Sequence, residues 1–187
     1  MTRSTQKDFF GKQSKAYGGV LLKTRKGRSL SRPLSTNSTM HLVMRSSKAK
    51  GKWSFKSRAN EIKIRGLVAK FSLKNGIKVL SLANVGNHLH FHIKLSNRYT
   101  YNRFIRGLTA SIAMAVTGAS RWNPLKKKAS DKFWDYRPFT RIIESYKYFL
   151  ILRDYIQINN LEGIGVRRLE ARFILEKINL LSGQDTS

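Results

Sequence analysis

Residues 87–95 read Asn87-His88-Leu89-His90-Phe91-His92-Ile93-Lys94-Leu95 and predict a β-strand, because polar and apolar side chains alternate along them. Successive side chains of a strand point to opposite faces, so the three histidines share one face and the apolar residues between them share the other. Neutral imidazole is the commonest metal-binding side chain, and two on one face of a strand can bind one ion together. The competing interpretation is a half-exposed strand whose histidines bond only to water.

The chain carries a large excess of positive charge. Its 187 residues include 37 Lys and Arg against 10 Asp and Glu, which gives a net charge of +27. Such an excess repels itself unless a polyanion neutralises it, so nucleic acid is the leading partner. In residues 48–58 basic side chains also interleave with Trp53 and Phe55, a pattern that suits a strand of nucleic acid whose bases stack on aromatic rings.

Length and composition predict one folded domain with a sizeable core, since 41% of the residues are hydrophobic. The chain has no cysteine, which excludes disulfides and zinc–thiolate sites. The first ten residues lack the apolar run of a secretory signal, and no run approaches the roughly 18 apolar residues of a membrane span. We therefore expect a cytoplasmic protein with no membrane partner.

The order of predicted elements indicates an α+β domain, with helices packed on an antiparallel sheet. Strands are predicted at 40–46, 77–85 and 87–95, with a turn at Gly86-Asn87, and an irregular edge strand at 133–140. Helices are predicted at 60–74, 100–116, 142–160 and 167–181. The sequence divides into a basic N-terminal arm or loop (1–39), a main α+β domain (40–163), to which the resemblance described below assigns the catalytic role, and a C-terminal helix and tail (164–187).

The third predicted helix places a tyrosine beside an amide. At 100° per residue, one stripe faces the sheet, and Tyr148, Tyr155 and Asn159 lie on its shoulder. Tyr155 and Asn159 are four residues apart, so their side chains are neighbours. Tyr146 and Tyr148 are each followed at that offset by leucine. The stripe comprises Ile142, Tyr146, Phe149, Leu152 and Ile156.

Asn87-His88-Leu89-His90 together with Tyr155-Ile156-x-x-Asn159 resembles the motifs of the single-tyrosine transposases of the HUH superfamily, above all the REP-associated tyrosine transposases. The resemblance covers residues 40–163. It implies a ferredoxin-like antiparallel sheet, with His88, His90 and Asn159 binding Mg²⁺ or Mn²⁺. It also implies that Tyr155 is the nucleophile, with Tyr148 as the alternative. The implied activity is cleavage and strand transfer of single-stranded DNA through a 5′-phosphotyrosine intermediate.

The resemblance also implies a single-stranded or hairpin DNA partner, and it leaves monomer and homodimer open. Two positions depart from the family pattern, namely the third histidine, His92, and Asn160, which stands where the family often has proline. We interpret His92 as a core or edge histidine, with an extra ligand as the alternative. The basic residues expected to contact DNA are Arg45, Lys126, Lys127, Lys128, Arg137 and Arg141.

Two other functions remain open from the sequence. One is a catalytically silent relative that only binds DNA or RNA. The other is a histidine-triad nucleotide hydrolase, since His88, His90 and His92 alternate as in that family's motif. That motif continues with two apolar residues, whereas here Ile93 is followed by Lys94, and a small-nucleotide hydrolase has little use for a charge of +27.

Overall fold

The computed structural model of the chain describes residues 16–19, 32–120 and 132–181. These residues form five strands, four α-helices and one short 3₁₀ helix (Gly51–Trp53), and we number the strands and α-helices in chain order. The strands are β1 (Ala16–Tyr17), β2 (Thr39–Arg45), β3 (Ile77–Asn84), β4 (His88–Leu95) and β5 (Phe139–Ile143). The helices are α1 (Arg58–Asn75), α2 (Thr100–Thr117), α3 (Tyr146–Gly163) and α4 (Arg168–Leu181).

The strands form one sheet in the order β1-β5-β2-β4-β3, and all neighbours are antiparallel. The path β2-α1-β3-β4-α2-β5 with the spatial order β5-β2-β4-β3 is the ferredoxin-like arrangement. The predicted fold class, a ferredoxin-like α+β sheet with helices packed on it, is therefore confirmed. The tight turn before β4 is confirmed as well. Gly86 has a backbone φ of 97° there, a conformation that residues other than glycine rarely adopt.

The main core lies between the sheet and the layer formed by α1 and α2. Leu89, Phe91 and Ile93 of β4 point into it and are fully buried, as their alternation with the histidines predicted. Buried residues of β2 and of both helices complete it; they include Met40, Leu42, Met44, Ile64, Phe104, Leu108 and Ile112. This core makes the sheet rigid and leaves its opposite face, which carries the histidines, for α3.

A second, smaller core holds α3 on the histidine face of the sheet. It contains Ala83 of β3, Ile143 of β5, and Leu152 and Ile156 of α3, with Phe149 and Tyr155 packed against it. The last helix, α4, packs in turn on α3 and buries Ala171 and Leu175. Tyr155 thus projects from a helix that is fixed directly over the histidine strand.

The predicted boundary between the last strand and the third helix was wrong. The strand runs from Phe139 to Ile143 and α3 begins at Tyr146, so Ile142 belongs to the strand and not to the helix. The β-branched residues of this segment favour pairing with β2 over continuing a helical stripe. Tyr146, expected to face the sheet, is the first residue of α3 and is 69% exposed.

The last strand is also not an edge strand. β5 lies between β2 and β1, and β1 comes from a segment that the sequence indicated to be a loop or arm. Pro138 precedes the first paired residue of β5, so its missing N–H interrupts no ladder. Among the helices of the described residues, none combines the length and the apolar character that crossing a membrane requires.

Candidate active site

Four histidines lie on the sheet face beneath α3. His88, His90 and His92 come from β4, and His41 comes from the neighbouring strand β2. In the register of these strands His41 is opposite His92, Val43 is opposite His90, and Arg45 is opposite His88. Because paired residues of antiparallel strands point to the same face, the register brings all four imidazoles to one surface.

His90 is the centre of this group. Its Nε2 lies 3.5 Å from the hydroxyl oxygen of Tyr155, at the outer limit of a hydrogen bond, and the two ring centroids are 5.1 Å apart. Its Nδ1 lies 3.2 Å from Nε2 of His41, whose ring stacks on that of His90 at 5.4 Å. His90 is 5% exposed, so protein atoms occupy both sides of its ring. The predicted nucleophile and one predicted metal ligand therefore lie side by side.

His88 is oriented by the residue before it. Its Nδ1 lies 2.6 Å from the side-chain oxygen of Asn87. An amide oxygen only accepts hydrogen bonds, so Nδ1 carries the proton and the lone pair of His88 resides on Nε2. The edge-to-face contact between the rings of His88 and His90, at 4.7 Å, places the two imidazoles next to each other.

Burial keeps these histidines uncharged. It lowers the pKa of His90 to about 3 and that of His41 to about 4, with smaller contributions from neighbouring positive groups. Burial also lowers the pKa of His88, and the nearby Arg45 lowers it further. A neutral imidazole keeps the lone pair that a metal ion binds. The side chains of His88 and His90 therefore have the protonation state that binding of a divalent cation requires.

Asn159, the third predicted ligand, is buried on α3 one turn after Tyr155. Its side-chain nitrogen donates a 2.6 Å hydrogen bond to the backbone carbonyl of Tyr155, which leaves its amide oxygen as the end that can bind a cation. In the described part of the chain, no group of three or more His, Cys, Asp or Glu side chains is arranged to hold a metal ion. The third protein ligand that the resemblance implies is therefore an amide oxygen and not a third residue of these types.

The alternative nucleophile, Tyr148, has a different environment. Its ring is half exposed and lies under the guanidinium of Arg141, 4.8 Å from the ring centroid. This contact places Arg141, one of the predicted DNA-binding residues, beside the first turn of α3. The ring of Tyr155, unlike that of Tyr148, lies among the histidines: it contacts His41 as well as His90, with 6.4 Å between the ring centroids of Tyr155 and His41.

A cavity of about 350 Å³ opens beside the histidine pair. Arg45 and Arg137, two of the predicted DNA-binding residues, line it together with His88, His90 and Tyr136. The guanidinium of Arg45 also forms a 3.5 Å ion pair with Asp135.

Two other expectations about DNA contacts have different outcomes. Lys126, Lys127 and Lys128 lie outside the described residues. The expected stacking role of Phe55 was wrong, because its ring is fully buried in the main core.

His92 is separate from the two predicted metal ligands, His88 and His90. It is 2% exposed, its ring packs edge-to-face against Phe149 of α3 at 5.0 Å, and its Nε2 has no hydrogen-bond partner within the described residues. This burial matches our interpretation of His92 as a core histidine. Of the three histidines of β4, His88 and His90 line the cavity whereas His92 packs against Phe149, so the three side chains do not open together into that cavity as the histidine-triad alternative would require.

Sequence reasoning missed His41. Its alternation with Val43 and Arg45 on the first predicted strand was a usable signal, because it put His41 on the same face of the strand as Arg45. The sequence did not indicate that this strand pairs with the histidine strand, and the contact with His90 depends on that pairing.

Comparison with known proteins identifies a family and two similar solved structures. The family model described as IS200-like transposase matches residues 35–159. The structure of a REP-associated tyrosine transposase bound to a REP hairpin is similar to this chain, with a TM-score of 0.57 and 15% sequence identity over 75% of this chain and 76% of that one. A putative transposase from Deinococcus radiodurans R1 matches with a TM-score of 0.42 and 16% identity, over 71% of this chain and 95% of that one. No curated protein sequence matches.

The resemblance to the single-tyrosine HUH transposases is therefore confirmed. The family match covers well over half of the chain and ends at Asn159. The chain belongs to the IS200-like transposase family.

Proposed function

We propose that this transposase-family chain cleaves and rejoins single-stranded DNA, with Tyr155 as the nucleophile. The observation that carries the proposal is the 3.5 Å approach of the Tyr155 hydroxyl to Nε2 of His90. A tyrosine nucleophile needs a fixed position and a charge-compensating site beside the phosphate that it attacks. Helix α3 would give Tyr155 its fixed position, and strand β4 beneath it would carry the charge-compensating site.

His88, His90 and Asn159 would hold a divalent cation, Mg²⁺ or Mn²⁺. When bound, such an ion would polarise a phosphate oxygen, offset the charge that develops during attack, and help a phenol to lose its proton. The two histidines contribute neutral Nε2 lone pairs. Asn87 and burial keep those lone pairs available.

The side chains of the chain itself account for the remaining chemistry. The hydroxyl of Tyr155 gives up its proton as its oxygen forms a bond to phosphorus at the cleavage point, and the bond from phosphorus to the 3′ oxygen breaks. The 3′ oxygen takes up a proton and leaves as a free 3′-OH, and the 5′ end stays on Tyr155. Attack by another 3′-OH on this phosphotyrosine reverses the exchange, so one bond is broken for each bond formed and no nucleotide cofactor is required.

The proposed substrate is single-stranded DNA, presented alone or beside a hairpin. The cavity next to the histidines is lined by Arg45 and Arg137, which suits a phosphate backbone. The similar REP-associated transposase was solved with a DNA hairpin, and this supports the same class of partner here. Arg141 and the three lysines at 126–128 are further proposed DNA contacts.

The test is a covalent-capture assay with the full chain and single-stranded oligonucleotides from the DNA that flanks its gene. We expect a protein–DNA band that survives denaturation, requires Mg²⁺ or Mn²⁺, and disappears in Tyr155→Phe. Tyr148→Phe is the matched control, because it removes a hydroxyl from the same helix, and we expect it to keep the band. A band that persists in Tyr155→Phe would refute the assignment. Binding of DNA without any band in the wild type would favour the catalytically silent alternative.

A further inference from the structure

His41 lies against the metal-binding pair but belongs to no motif. It projects from β2, beside β4, and its ring is nearly parallel to that of His90, with an interplanar angle of 20°. The atoms that face each other are Nε2 of His41 and Nδ1 of His90, 3.2 Å apart. Phe139 of β5 contacts the ring of His41 edge-on at 6.1 Å, so His41 is held from the far side as well.

The proton on Nδ1 of His90 decides what Nε2 of the same ring can do. A neutral imidazole has one N–H and one lone pair, so a histidine that binds a cation through Nε2 carries its proton on Nδ1. That N–H needs an acceptor, and histidine ligands in metal sites regularly have one. At His90, the atom in place to accept it is Nε2 of His41.

We propose that His41 is a positioning residue for the active site: it accepts the Nδ1–H of His90 and so directs the Nε2 lone pair of His90 toward Tyr155. The proposal rests on the proposed function. It makes the two predicted ligands equivalent, since each has its Nδ1 bound to an acceptor. For His88 the acceptor is the oxygen of Asn87 at 2.6 Å, and for His90 it is His41 at 3.2 Å.

The geometry assigns His41 this role and not that of a ligand. A cation that takes part in attack by Tyr155 belongs on the nitrogen of His90 that faces Tyr155, which is Nε2. His41 is on the other side of the ring, at Nδ1. Within the described residues, His41 also does not combine with His88 and His90 into a group that could hold a metal.

The first test measures Mn²⁺ binding by calorimetry, without DNA, in the wild type and in three variants of the full chain. His41→Leu removes the acceptor, and we expect its Mn²⁺ affinity to fall about 10- to 100-fold. His41→Gln places an amide oxygen near the position of Nε2, so we expect its affinity to return to within about threefold of wild type. His92→Leu is the matched control. It changes the residue directly opposite His41, and we expect unchanged affinity.

The second test follows the tautomer and the reaction. Nitrogen NMR of the metal-free wild type should show His90 protonated at Nδ1 and His41 unprotonated at Nε2. In the covalent-capture assay, His41→Leu should require more Mn²⁺ for half-maximal rate, yet reach a rate at saturating Mn²⁺ close to that of the wild type. This split separates positioning of a ligand from loss of the nucleophile.

The outcomes distinguish the two proposals. Equal Mn²⁺ affinity in wild type and His41→Leu, or a His90 protonated at Nε2, overturns the role of His41 even if Tyr155 forms its covalent product. A wild type that forms no product but loses Mn²⁺ affinity through His41→Leu supports the role of His41 and refutes the proposed function. A wild type that binds no Mn²⁺ overturns the role of His41, and the covalent-capture assay with Mg²⁺ or Mn²⁺ then decides the proposed function by itself. Circular dichroism of each variant identifies any that has simply failed to fold.

Discussion

The side-chain oxygen of Asn87 lies 2.6 Å from Nδ1 of His88 and accepts a hydrogen bond from its N–H. Asn87 sits at the turn into β4, where its backbone carbonyl also accepts a hydrogen bond from the N–H of Ser46. The turn that begins the histidine strand therefore also sets the tautomer of the first histidine. Hydrogen bonds of this kind to the second nitrogen of a histidine ligand raise its basicity and fix its ring.

Replacing Asn87 by alanine should weaken Mn²⁺ binding about 10- to 100-fold, because His88 loses the acceptor that holds its proton on Nδ1. Asn87→Asp retains an oxygen at that position and should bind Mn²⁺ at least as well as Asn87→Ala does. Calorimetry on the metal-free protein measures both. Asn97→Ala serves as the control, since Asn97 is an exposed asparagine that accepts a hydrogen bond from the backbone N–H of Tyr99 in the loop after β4. A similar loss in Asn97→Ala would show that the effect is not specific to His88.

Substitutions of Asn159 separate its two functions. Its oxygen is the proposed ligand, and its nitrogen donates to the carbonyl of Tyr155. Asn159→Asp keeps an oxygen and adds charge, whereas Asn159→Ala removes both groups. We expect the Mn²⁺ affinity of the aspartate variant to equal or exceed that of wild type, and the alanine variant to lose about tenfold or more. Equal affinity in Asn159→Ala and wild type would exclude Asn159 as a ligand.

The sequence predicted those parts of the fold and site that depend on local pattern. Alternation along β4 correctly separated the histidine face from the buried apolar face. The offset between Tyr155 and Asn159 correctly made them neighbours on one helix. Pairing between distant strands leaves little trace in a single sequence. The contact of His41 with His90, and the pairing of Ala16–Tyr17 with β5, therefore appeared only in the structure.

The boundary between β5 and α3 shows a second limit. Residues 139–143 contain isoleucines that fit either a helical stripe or a strand, and tertiary pairing with β2 decided between them. The start of α3 is then set locally by Ser145, whose side chain accepts a hydrogen bond from the backbone N–H of Tyr148. The error affects only the start of the helix. Tyr155 lies in its second half, where the predicted helix agrees with α3.

Arg137 should contribute to DNA binding through charge alone. It is exposed and lines the cavity beside the histidine pair, where its guanidinium is open to a phosphate. Arg137→Ala should weaken binding of single-stranded DNA and reduce the slope of log K against log salt concentration by roughly 0.7. Fluorescence anisotropy over a salt series measures this slope. Lys70→Ala changes an exposed lysine of α1, on the opposite side of the sheet, and should leave the slope unchanged. Equal slopes in all three proteins would exclude Arg137 from the DNA contact.

We expect the free energy of unfolding to fall in mild acid, because His41 and His90 have lowered pKa values in the folded chain. The folded-state pKa values of His41, about 4, and His90, about 3, lie below the unfolded value of 6.5, so the unfolded chain binds more protons. Their stabilising effect is therefore complete above pH 6.5 and declines as the pH falls toward 4. Each histidine should remove about 1.4 kcal/mol from the free energy of unfolding for every pH unit in that window.

Urea unfolding of the metal-free chain between pH 7 and pH 5 measures this decline. The range stays above the pH at which most carboxylates titrate, so histidines dominate the slope. His41→Gln removes one of the histidines with a lowered pKa and should reduce the slope below pH 6.5 by about 1.4 kcal/mol per pH unit. Replacing an exposed ionisable group, as in Lys70→Ala, should leave it unchanged. A wild-type stability that is flat from pH 7 to pH 5, or a His41→Gln slope equal to that of wild type, would show that His41 is not held neutral in the folded chain.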